Sequence, residues 1–164
     1  ARPRVLAHFK PGPWKRAEQS TMRIVVAAIF LLAVFPAWAQ PCSMADAQAA
    51  ENAVDQLDSW QAIHAAYRRY AHCDDGSIAE GFTDKVVHLL ATRWGSLGQA
   101  QRIAARDSGF QSFMLRHIDS TALTSELDRI AHSARHQCPR SATVLCKQIA
   151  GAAEAANSDA GPRE

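Results

Sequence analysis

Three groups of side chains in this chain have types and spacings that chemistry uses. The densest polar cluster is His72-Cys73-Asp74-Asp75, closed by Gly76. One imidazole and two carboxylates at a turn make a candidate cation loop, but the EF-hand spacing D-x-[DN]-x-[DN]-G-x5-E does not follow. The competing reading gives Asp74 and Asp75 the work of a turn and of negative charge at the next helix N-terminus. A second group is Glu80, Asp84 and His88, at i, i+4 and i+8. On a helix that spacing makes an acid–acid–imidazole stripe, suited to a metal, to general acid–base work or to a basic partner. It equally describes a solvated face. The third group is the pair His132 and His136, also i, i+4, the geometry of two helical zinc ligands. It lacks the glutamate of H-E-x-x-H, and a histidine in a last helical turn also suits the helix dipole.

Nucleophile candidates are generic. Ser59, Ser77, Thr124 and Ser141 stand where helix caps are expected. No G-x-G-x-x-G, G-x-x-x-x-G-K-[ST], H-E-x-x-H or G-x-S-x-G occurs, so no catalytic constellation and no cofactor is implied. The aromatic residues Trp60, Tyr67, Tyr70, Phe82, Trp94, Phe110 and Phe113 fall on apolar stripes and read as core.

The elements that position these groups start after residue 40. Met22-Arg23 precedes the unbroken apolar run Ile24 to Phe35, and Ala37-Trp38-Ala39 follows Pro36. This is a short basic region, an apolar segment of about 12 residues and an A-x-A cleavage site. The run is shorter than the roughly 20 residues of a spanning helix. Residues 22–39 are therefore expected to be a cleavable signal peptide cut after Ala39, with the membrane met only during export. Cys42 follows Ala39-Gln40-Pro41, which lacks the small residues of a lipobox. Residues 1–21 have Pro3, Pro11 and Pro13 and no apolar period, and are read as over-extended upstream translation with Met22 as the start.

Export redraws the charge. The chain has 164 residues, with 18 Lys+Arg and 16 Asp+Glu, a net charge of +2. Residues 1–39 take six basic residues and one acid, leaving 125 residues at −3. That balance argues against a nucleic-acid binder working by phosphate neutralisation. All four cysteines, Cys42, Cys73, Cys138 and Cys146, remain. An even count in an exported chain reads as disulfides. Four cysteines permit three pairings; Cys138–Cys146 is favoured by its short span, which leaves Cys42–Cys73.

The exported part reads as all-α, a small bundle of five to six helices with one or two disulfides over residues 40–156, then a disordered tail over 157–164. Met44 to Val54 has little apolar mass and is a frayed helix or linker. Asp58-Ser59-Trp60-Gln61 looks like a cap, and Trp60, Ile63, Tyr67 and Tyr70 form a stripe with helical spacing. Ser77-Ile78-Ala79-Glu80 looks like a capping box before Ile78, Phe82, Val86, Leu89 and Leu90. Shorter helices follow around Leu97 to Arg106 and over Phe110 to Ile118. Thr124 opens another, closed by Cys138-Pro139, and Ser141 begins the last.

The stretch His72 to Phe82, with Leu115-Arg116-His117-Ile118-Asp119 and Cys138-Pro139, resembles a group of small exported proteobacterial proteins without assigned function. The plan of signal peptide, small helical domain and few cysteines is similar to that of periplasmic immunity proteins that block type VI secretion amidase effectors. That resemblance implies a binder of a toxic enzyme and transfers no residues. The expectation is a periplasmic protein of a Gram-negative cell that binds another protein through Asp74, Asp75, Glu80 and Asp84. The alternative is a metal-binding or metal-sensing protein using the same acids with His72 and His88, or the pair His132 and His136.

Overall fold

The computed structural model describes residues 41–161. The signal-peptide and upstream readings lie outside the described residues, as do positions 162–164. Among the described residues seven α-helices and three short 3₁₀ turns occur, without a strand: α1 Met44–Val54, α2 Trp60–Tyr70, α3 Gly76–Thr92, α4 Leu97–Ala104, α5 Ser108–Arg116, α6 Thr124–His136 and α7 Thr143–Asp159. The all-α expectation holds, with seven helices in place of five to six. None of them is long and apolar enough to cross a membrane.

The additional helix is α1, the segment read as frayed or linking. Three things hold it although its own apolar mass is small. Ser43 caps it, its side chain accepting from the Asp46 N–H. The Cys42–Cys73 disulfide anchors its start to the turn after α2. Gly81 on α3 brings the helices close: a Cβ there would stand 2.7 Å from a Val54 methyl.

The core is continuous. Trp60, Ile63, Phe82, Leu89, Leu90, Phe110, Phe113, Met114, Leu127, Ile130 and Ile149 are all fully buried, from five different helices. The stripes read from the sequence are its source, since residues three and four apart share one helical face. Trp60 also donates its indole N–H to Ser96 Oγ at 2.9 Å. Helices α6 and α7 form the most extensive pairing in the fold, and the Cys138–Cys146 disulfide clamps the connection between them. Both disulfides match the favoured pairing.

Several helix starts differ from the sequence reading. Ser59 caps α2 as its position suggests, but the other expected caps do not hold. Asp75 caps α3, and Ser77 lies inside the helix, where its hydroxyl donates to Glu51 of α1. The chain can turn into α3 there because Gly76 takes a positive φ of 53°. Thr124 is the first residue of α6 rather than its cap, and Ser141 belongs to the 3₁₀ turn Arg140–Ala142 that precedes α7. Helix α7 continues to Asp159, so the polar tail is helical past the expected boundary at Ala156. Ala153 and Ala156 are buried on its inner face, and Asn157 donates to Asp128 of α6 at 2.8 Å.

Candidate functional site

The four acids assigned to a partner surface fall into two different environments. Asp74 is not a surface group. Its side chain is only 6% exposed, and it accepts from Arg116 Nη2 at 2.7 Å. The imidazole of His117, itself buried, places Nε2 3.2 Å from both Asp74 oxygens. Asp74 therefore leaves the contact-surface assignment: the turn after α2 points its carboxylate inward, onto the end of α5. Asp75 stays exposed, but its carboxylate is occupied in capping α3.

A row of polar groups runs inward from Asp74. His117 Nδ1 lies 3.0 Å from Thr83 Oγ1, and Thr83 donates to Asp119 Oδ2 at 2.9 Å. Asp119 Oδ1 accepts from both the backbone N–H and the hydroxyl of Thr121. Hydrogen-bond accounting fixes the direction of each contact. Thr83 has a single hydroxyl proton, and the Asp119 carboxylate can only accept it. With that proton given to Asp119, His117 Nδ1 faces Thr83 Oγ1 as its donor. Asp74 Oδ2 holds the hydrogen bonds to Arg116 and the ring, while Oδ1, 3.2 Å from the ring, has no aligned donor. The ring also packs edge-on against Phe113, with centroids 4.3 Å apart.

The order Asp74–His117–Thr83 has the appearance of orienter, base and nucleophile. Three facts oppose that use. Thr83 is 3% exposed and sits in mid-helix. Its proton is directed at Asp119. The groove that reaches it is lined by Glu80, Asp84 and Glu126, carboxylates where a developing oxyanion would need donors. The row is a structural pin joining α3, α5 and the turn after α2.

Burial opposes ionisation of Asp74, but hydrogen bonds and charge from His117 and Arg116 hold its carboxyl below the usual range. Asp119 behaves alike: burial opposes ionisation, and the Thr121 and Thr83 hydrogen bonds outweigh it. A carboxylate with a depressed folded-state value adds stability above its unfolded value, near 3.8. That stability is lost as pH falls from about 4 through the lower folded values. The urea midpoint is therefore expected to fall steeply below pH 4, and Asp74→Asn to flatten the fall. An equal slope in both proteins would remove Asp74 as a cause.

Glu80 and Asp84 do stay together at the surface. They form one wall of a groove of about 290 Å³ whose other wall is Thr121, Leu123 and Glu126. Leu123 is 59% exposed. Lys85 lies 3.3 Å from Asp84. Glu126 and Leu123 escaped the sequence reading because the segment before α6 looked like a cap; only the fold brings them opposite α3. His88, the third member of the stripe, turns away to Thr92 of its own helix, 3.4 Å from its hydroxyl.

The histidines assigned to metal do not assemble. His72 faces Asp46, with Nε2 3.5 Å from its carboxylate. The Ser43 hydroxyl and His72 hold that carboxyl below its usual range. His132 and His136 stand together, ring centroids 4.6 Å apart, on the exposed side of α6. Among the described residues no three His, Cys, Asp or Glu side chains converge into a cation site.

No protein-family model, curated protein or solved structure matches the chain.

Proposed function

We propose that this chain is an exported, periplasmic protein whose work is to bind another protein, in the manner of an inhibitor or immunity factor. The observation that carries this is the groove between α3 and the start of α6, where Glu80, Asp84 and Glu126 surround the exposed Leu123. An apolar side chain beside three carboxylates, of which only Asp84 has a basic neighbour in Lys85, suits a partner with a basic, partly apolar surface. The two disulfides support an oxidising compartment, and the −3 charge left after the leader supports attraction to a basic partner. The contact set is then Glu80 and Asp84, extended by Glu126 and Leu123, with Asp74 holding the scaffold beneath.

The test uses purified protein immobilised at low density and exposed to periplasmic extract of its own host, with surface plasmon resonance on the protein recovered. A stoichiometric partner is expected. The variant Glu80→Lys/Asp84→Lys/Glu126→Lys is expected to slow its association at least about tenfold while leaving the thermal midpoint within a few degrees. No stoichiometric partner, or one indifferent to charge reversal, would reject the reading.

A further inference from the structure

A second recess carries the opposite charge. Helix α2 presents Gln61, His64 and Arg68 at i, i+3 and i+7, and α4 presents Gln99 and Arg102 with Arg106 just past its end, at i, i+3 and i+7. The two polar stripes face each other across a cavity of about 540 Å³, a size that admits a small ligand. Its one carboxylate is already committed. Asp107 Oδ2 takes the His64 ring at 3.0 Å, and Oδ1 accepts the Phe110 N–H in capping α5. The nearest guanidinium nitrogen of Arg68 is 3.7 Å from Asp107. Arg102 and Arg106 form no ion pair among the described residues.

Three guanidinium groups thus line a recess holding one carboxylate, in a protein whose exported part is net acidic. Favourable charge at the C-terminal ends of α2 and α4 accounts for basic residues in each last turn, but not for their convergence on one cavity. A guanidinium offers paired donors to a carboxylate or phosphate, and the two glutamine amides add further donors.

We propose that this recess binds a small oxyanion bearing two or more negative charges, held by Arg68, Arg102 and Arg106 with Gln61 and Gln99 setting its orientation. Phosphate and carboxylate groups share the chemistry, and the test separates them. Isothermal titration of the purified protein with pyrophosphate and with citrate at low ionic strength is expected to give one saturable equivalent for at least one of them. The tighter binder identifies the group. Arg102→Gln/Arg106→Gln is expected to weaken it by about tenfold or more per arginine, whereas Arg129→Gln on α6 leaves it unchanged. Circular dichroism of the double variant checks that α4 persists; Arg68→Gln, on the other helix, is the second variant and is expected to weaken binding likewise. Absence of saturable binding, or binding indifferent to all three arginines, would overturn the proposal. The recess shares no residue with the acidic groove, so neither result decides the other.

Discussion

Replacing His117 by leucine is expected to destabilise the fold by about 3–5 kcal/mol, since it leaves two buried polar groups each short of a partner at about 1–3 kcal/mol apiece. Leucine fills much of the ring's volume against Phe82 and Phe113, so the loss comes mainly from the polar side. Asp74 keeps Arg116 but loses its contact with the ring, and Thr83 loses the donor that faced its hydroxyl. Both are too deep for water to restore the contacts cheaply. For a domain of this size about 4 °C accompanies each kcal/mol, so the thermal midpoint is expected to fall by about 12–20 °C. His132→Leu, on the exposed side of α6, is expected to change stability by no more than about 0.5 kcal/mol. Urea titration followed by circular dichroism measures both. A His117→Leu loss under about 1 kcal/mol would mean that the row contributes little.

Reduction of the disulfides is the second large effect. Chain-entropy reasoning assigns about 3.7 kcal/mol to the Cys42–Cys73 bridge, which closes a separation of 31 residues, and about 2.5 kcal/mol to Cys138–Cys146, which closes 8. Together, at about 6 kcal/mol, they exceed the low end of the total stability of an ordinary domain, about 5–15 kcal/mol. The fully reduced protein is expected to be marginal at 37 °C. The paired variant Cys42→Ser/Cys73→Ser is expected to release α1 first, because that helix buries only Ala50 completely and leans on its anchor. Hydrogen exchange should then rise over Met44–Val54 before the core. Reduced protein with an unchanged urea midpoint would show that packing alone suffices.

How far the sequence could be read depended on the range of the interaction. Stripes such as Trp60, Ile63 and Tyr70 announce a helix and its buried face locally, and these became the core. Chain separation favoured the disulfide pairing that forms, without deciding among the three. Helix α1 was not legible, because its order comes from Gly81, Cys73 and Ser77, all distant in the chain. The His117 row was hidden for the same reason: Asp74 lies 43 residues from it, and nothing local sets His117 apart within the helix expected over Phe110 to Ile118. Asp74 was misassigned because a turn aspartate looks exposed until the end of α5 is placed beside it. Half of the acidic groove was visible as the Glu80/Asp84 spacing, and half came from the segment before α6. The basic recess is present in the sequence as two i, i+3, i+7 stripes, but arginines at such spacing are ordinary on a solvated helix face, and only the fold sets the two stripes opposite each other.

The disulfide pattern bears on how the molecule is made. Both bridges join neighbours in the order of cysteines along the chain, first with second and third with fourth. A chain threaded through a translocon N-terminus first presents Cys42, and its proper mate is the very next thiol to arrive. The first loop can be sealed while the rest is still in transit, before Cys138 exists as a competitor on that side. An oxidant that simply joins thiols as they emerge then produces the native connectivity, without the slow exchange among mispaired isomers that crossed patterns require. On the proposed export route, an oxidase alone would set both bridges, with no reshuffling catalyst.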